Sequence, residues 1–122
     1  MTILKSPLII IRKSLYMRGM ALYPFIILRD KKFLEDRVIM NHERIHHRQE
    51  VELLIVPFYI LYLINYFINR MKYPTRYEAY RNIIFEREAY DNETDFNYLK
   101  KRKWFSSFRY WKKNMFLRML YQ

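Results

Sequence analysis

The sequence predicts a mainly helical α+β domain with a small N-terminal β-sheet or hairpin, and three observations carry that prediction. From Val38 onward the apolar residues recur at the i, i+3, i+4 spacing of a helix. Short runs rich in β-branched and large apolar residues fall in the first part of the chain, at Leu8 to Ile11 and Ala21 to Leu28. Glycine occurs once in 122 residues, so tight glycine turns are scarce and helices must supply most of the packing. That length fits one domain, residues 1–122, and neither a repeat nor a low-complexity linker divides it.

Taken in order, Leu8–Ile11 and Ala21–Leu28 read as two strands with Arg18-Gly19-Met20 as the turn region. Pro24 places the second strand at a sheet edge, because proline donates no ladder hydrogen bond. Arg29-Asp30-Lys31-Lys32 is a polar loop, and Asp36 is a suitable N-cap for the next helix. On that helix Val38, Ile39, His42, Ile45, His46, Gln49 and Leu53 form one mostly apolar face, and Arg37, Arg44, His47 and Arg48 form the wet side.

The same helix carries the chemistry. All three histidines of the protein lie between positions 42 and 47, in His42-Glu43-Arg44-Ile45-His46-His47. His42 and His46 are four apart, so both imidazoles leave one helix face and can bind one zinc ion. Glu43 sits one position round, within reach of a metal-bound water rather than the metal, as a general base requires. The competing reading is an ordinary pair of packed histidines. The chain has no cysteine, which excludes thiolate metal sites and a disulfide framework.

From Leu53 to Asn69 there is no charged residue. Seventeen uncharged residues stand at the lower margin for a membrane span, and one crossing would separate the histidines from everything after Arg70. A buried or interface-lying helix is therefore expected, restarted at Pro57. Thr75-Arg76-Tyr77-Glu78 is a capping box opening a helix that continues through Tyr90. On it Ala79, Ile83, Glu86, Ala89 and Tyr90 share a face, and Glu88 falls with Tyr77, Arg81 and Ile84. A carboxylate among apolar neighbours needs a cation, so Glu86 is either a third metal ligand or, equally on these grounds, an Arg-paired or edge glutamate.

The formal charge is +11, from 23 Lys and Arg against 12 Asp and Glu, which implies attraction to anionic surfaces. Segment 96–122 reads as a basic aromatic helical tail, with Lys100, Lys101, Arg102, Lys103, Arg109, Lys112, Lys113 and Arg118 among nine aromatics that include Trp104 and Trp111. It suits a lipid surface or nucleic acid, but core packing with a solvated basic side is the favoured reading, and the two are compatible. No nucleic-acid motif accompanies the charge, so nucleic acid is the weaker partner. The N-terminal apolar run is short and interrupted by Arg12 and Lys13, unlike a secretory signal. The expected location is cytoplasmic, with peripheral attachment to the inner face of the membrane as the extension.

His42-Glu43-x-x-His46, followed 40 residues after His46 by Glu86-Arg87-Glu88-Ala89-Tyr90, resembles the gluzincin metallopeptidases. More narrowly it resembles small bacterial zincin-like proteins with N-H-E-x-I-H and F-E-R-E-A-Y blocks, over roughly Ala21 to Asn92. The resemblance implies a minimal zincin-like fold, zinc held by His42, His46 and Glu86, and Ala89 in the small-residue place. Tyr90 stands where the related peptidases carry Asp. It also implies an edge strand that binds substrate backbone, for which Phe25–Leu28 is the match. The function so implied is a zinc-dependent metallohydrolase, a metallopeptidase, with Glu43 as base and a peptide or protein as substrate. An oxyanion-stabilising residue is expected, and 12 tyrosines offer too many candidates to single one out. The alternative is a non-enzymatic basic membrane-associated or nucleic-acid-binding module with a structural histidine cluster.

Overall fold

A computed structural model describes residues 7–111. Three short strands, β1 (Leu8–Ile11), β2 (Gly19–Leu22) and β3 (Phe25–Leu28), precede five helices: α1 (Arg37–Glu52), α2 (Val56–Lys72), α3 (Arg76–Arg81), α4 (Ile84–Asn92) and α5 (Tyr98–Lys101). The expected mainly helical α+β architecture is present.

The sheet differs from expectation in one instructive way. What reads as a single strand, Ala21–Leu28, is a tight hairpin folded at Tyr23-Pro24, whose peptide is cis. Pro24 thus marks a turn rather than an edge strand, and Gly19 and Met20 belong to β2. The strand order is β1-β3-β2, with β3 central, parallel to β1 and antiparallel to β2. A central strand buries one face fully, and Ile26 and Leu28 are both at 0% exposure.

Asp36 caps α1 by accepting from the amides of Val38 and Ile39 at 3.0 and 3.1 Å. The far end of α1 closes without glycine. Leu54 and Ile55 both take positive φ, about 60°, and the amides of Leu53 and Ile55 return to Gln49 and Glu50. Left-handed backbone at large apolar residues costs about 1–3 kcal/mol each, so the corner must be held by its surroundings. It turns the chain by 112° between α1 and α2. Pro57 then sits in the first turn of α2, where a missing amide costs nothing. Among the described residues no single helix is long and apolar enough to cross a membrane.

Thr75 caps α3 as the capping box requires, accepting from the Glu78 amide at 3.1 Å. The helix then stops at Asn82 and restarts at Ile84, so the expected continuous helix to Tyr90 is two helices. The break is specified from α2: the Asn65 carbonyl oxygen accepts from the Ile84 amide at 2.9 Å, and Asn69 donates to the Ala79 carbonyl at 3.0 Å. The main core cluster, Phe58, Ile83, Ile84 and Phe85, lies between α2 and α4.

The tail is likewise not one helix. Its described part holds the one-turn α5 and a 3-10 turn at Ser106–Phe108. Lys112, Lys113, Phe116 and Arg118 lie outside the described residues. Arg102, expected at the surface, is buried between Glu52 and Glu88.

Candidate metal centre

The rise and turn of α1 bring His42 and His46 side by side, facing Glu86 from α4. His42 Nε2, His46 Nε2 and Glu86 Oε1 form a triangle 3.1 Å on every side, and all three residues are buried. In a tetrahedral zinc site with bonds of about 2.05 Å, neighbouring donor atoms lie roughly 3.3 Å apart. The triangle has that scale.

Hydrogen bonding at the other ring nitrogens fixes which atoms offer lone pairs. Gln49 donates through Nε2 to the Phe85 carbonyl at 3.0 Å and to Glu88 at 2.9 Å. Its Oε1 must therefore be the atom 2.8 Å from His46 Nδ1, and that nitrogen must carry the hydrogen. His42 Nδ1 donates to the Glu93 carboxylate at 3.0 Å. Both Nε2 atoms are then acceptors, pointed at each other and at a carboxylate oxygen. Three buried acceptors at this distance repel unless a cation lies among them. Burial opposes a proton on His46, yet the Glu86 carboxylate outweighs it and pushes that imidazole up to about 10. Burial likewise opposes the Glu86 charge, but His46 and His42 hold its carboxyl far below the usual range. The trio can take a proton or hold a metal ion, and its donor set is one that zinc accepts.

The remaining oxygen of Glu86 is tied back. Tyr62 on α2 donates to Oε2 at 2.7 Å, so one oxygen is presented to the histidines. The Tyr80 hydroxyl lies 3.3 Å from Oε1 and 2.9 Å from the Tyr90 hydroxyl. Tyr90, in the place of the expected Asp, stacks edge-on against His42 at 4.5 Å. The carboxylate behind His42 comes instead from Glu93, and Asn41 holds it there by donating to the backbone carbonyls of Glu93 and Asp95 at 2.8 and 3.1 Å.

Glu43 points from α1 toward β2. Gly19, the single glycine of the chain, faces it so closely that a Cβ there would meet Glu43 Oε2 and Leu28 Cδ2 at 3.2 Å. The edge strand beside the site is thus β2, not Phe25–Leu28, which is central and occupied on both sides. Burial pushes the Glu43 carboxyl up, only partly offset by His46 and His42, which moves it toward the range of a base used near neutrality. A cleft of about 700 Å³ opens over His42 and Glu43, bordered by Gly19, Tyr66, Tyr77 and Tyr80 and by Arg18, Arg29 and Arg76.

Two further expectations change. His47, placed on the wet side, is buried at 2% exposure and bonds through Nε2 to the Phe25 carbonyl at 2.7 Å, tying α1 to β3. Glu88, placed on another face of a continuous helix, is fully buried. It accepts from Arg102, Ser107, Tyr98 and Gln49, so it supports the centre without touching it. Sequence reasoning missed Glu93, Gln49 and Tyr62 as partners. Glu93 had a signal, since it follows Glu86 by seven residues and shares its helix face. Comparison of the chain with protein-family models, curated proteins and solved structures returns no match.

Proposed function

We propose that this protein is a zinc-dependent metallohydrolase whose substrate is a peptide or protein. The observation that carries the reading is the triangle of acceptors made by His42, His46 and Glu86, with both Nδ1 hydrogens committed elsewhere. Zinc, when bound, acidifies a water and polarises a carbonyl. Three protein donors leave a tetrahedral ion one position for that purpose.

The chain's own residues supply the rest. Glu43, at the floor of the cleft, accepts a proton from the attacking water and returns it to the leaving amine. Gly19 lets β2 approach that carboxylate, and β2, as an edge strand, offers an extended peptide its Gly19 end to pair with, the Ala21 carbonyl being taken by Tyr59. Tyr80 borders both the cleft and the metal ligands, which makes its hydroxyl the first candidate to donate to a developing oxyanion.

Zinc analysis of the purified protein tests the reading. Near-equimolar zinc is expected in the wild type and in Glu43→Gln, and none in His42→Ala or His46→Ala. With a peptide library as substrate, Glu43→Gln should lose hydrolysis by at least about a hundredfold. Equal zinc in wild type and both histidine variants would end the proposal.

A further inference from the structure

Helix α2 is built inside out. Its inward side carries Asn65 and Asn69 with Phe58, Tyr59, Tyr62 and Tyr66; Asn65, Asn69 and Tyr62 hold α3, α4 and Glu86, and Tyr59 ties the helix to β2 and α1. Its aliphatic residues face away from the protein. Val56, Ile60, Leu63, Ile64, Phe67 and Met71 are each between 50% and 82% exposed. At about 100° per residue these six fall within one sector roughly 100° wide, on a stripe about 22 Å long. No polar side chain interrupts it, and a patch of this kind marks an interaction surface.

Charge distinguishes the occupants. Arg70 and Lys72 are exposed at the C-terminal end of α2. The tail lies alongside: the Phe105 amide donates to Glu52 at 3.0 Å, near the α1–α2 corner, and Lys72 stands 6.0 Å over the Trp111 ring. Between those points Trp104, Phe108 and Trp111 are exposed beside Lys103 and Arg109, and no acidic residue follows Asp95. A second copy of this chain would bring +11 against +11. An anionic lipid surface complements both the stripe and its basic, tryptophan-bearing border.

We propose that the outer face of α2, with the Trp104–Trp111 segment beside it, is an interfacial docking surface for an anionic phospholipid bilayer. The helix lies parallel to the membrane plane with its aliphatic stripe in the headgroup–acyl boundary. It does not cross: 17 residues fall short of the usual span, and its inner face is committed to the protein. Because Tyr62 reaches Glu86 from that inner face, one helix thickness, about 10 Å, would separate the metal centre from lipid. This docking needs no metal, so it stands or falls independently of the hydrolase reading.

The test uses the full chain and vesicles of phosphatidylcholine with or without about 30% phosphatidylglycerol, since anionic lipid is the required component. Co-sedimentation should show binding to the anionic vesicles. Emission from the two tryptophans, Trp104 and Trp111, should shift to the blue and be quenched by brominated acyl chains. Ile60→Gln/Ile64→Gln/Phe67→Gln should weaken partitioning by about a thousandfold or more, the scale for withdrawing three large apolar side chains. Should that variant misfold by circular dichroism, Lys100→Gln/Lys103→Gln/Arg109→Gln serves instead, with about a hundredfold loss expected on anionic vesicles. Failure of the wild type to bind, or binding by a folded variant equal to wild type, overturns the proposal. So does a dimer by light scattering that the apolar variant dissolves while vesicle binding persists.

Discussion

Glu86 and Glu88 stand two positions apart on one short helix, and exchanging each for Gln should have opposite consequences. Glu86 Oε1 is 3.1 Å from both Nε2 atoms, so a zinc ion bonded to all three would sit about 2 Å from the carboxylate. The attraction of a dication to a unit charge at that distance is about 16 kcal/mol at an effective dielectric of 20. Desolvation cancels most of it, but retention of even a quarter gives about 4 kcal/mol, a thousandfold in zinc affinity. The metal-free fold should tolerate Glu86→Gln, because Tyr62 can donate to an amide oxygen in the Oε2 place while the amide NH2 in the Oε1 place donates to a histidine Nε2. Glu88→Gln instead leaves the Arg102 guanidinium buried with only Glu52 opposite it. Breaking a buried pair from one side costs about 3–5 kcal/mol, roughly 10–20 °C in melting temperature for a chain of this size. Zinc content by mass spectrometry and thermal melts of the metal-free proteins read both effects. If Glu88→Gln loses zinc with its melt unchanged, while Glu86→Gln keeps zinc, the ligand assignment is refuted.

Three further outcomes follow from the same geometry. Glu93→Gln removes the carboxylate behind His42 Nδ1 but leaves a side chain that is already 23% exposed, so zinc affinity should fall about 10–100-fold with little change in the melt; competition with a chelator measures it. The Glu88 carboxyl is desolvated, but Arg102, Ser107 and Tyr98 outweigh this and lower it below its ordinary 4.5. A depressed carboxylate contributes stability present above pH about 4.5 and lost as pH falls through its folded-state value; urea titrations at pH 6 and below should show the difference between wild type and Glu88→Gln shrinking with acid. Gly19→Ala places a methyl 3.2 Å from both Leu28, fixed in the sheet, and the Glu43 carboxylate, so the carboxylate must yield. Hydrolysis should drop about tenfold or more with zinc content unchanged, and unaltered kinetics would remove Gly19 from the site.

How much was legible in the sequence depended on how local the determinant is. The α1 cap, the histidine spacing and the Thr75 capping box are set by residues a turn apart, and each appears where expected. The hairpin at Tyr23-Pro24 was hidden because a proline inside an apolar run reads equally as an edge strand or a turn. Partners decide between them, since β1 returns to pair with β3 from 17 residues away in register. The break at Asn82 was hidden for the same reason: its cause, Asn65, lies 19 residues before the Ile84 amide it binds and on another helix. That break rotated Glu88 out of its expected face and into the core. Histidine 47 followed the helical wheel correctly, yet β3 covers the side that the wheel assigned to water.

The inverted polarity of α2 links these long-range effects to one design. A helix that must hydrogen-bond a broken α3–α4 unit and steady the Glu86 carboxylate has to turn its polar side chains inward. Asn65, Asn69 and Tyr62 do so, and each is bonded to another element. With 17 residues to place, the aliphatic ones are then left for the outer side. Ordinary amphipathicity would have buried those aliphatics and left the site unsupported. Water alone on the outer stripe would leave a strained corner at Leu54 and Ile55 with little to compensate it, because that turn projects Leu54 and Val56, each about two-thirds exposed, away from the core. The proposed lipid contact would offset that cost along the apolar free face of α2. A variant with Leu54→Gly should relax the corner, leave zinc unchanged and weaken vesicle binding only modestly. Complete loss of binding from that one exchange would place the anchor at the corner and not along the helix.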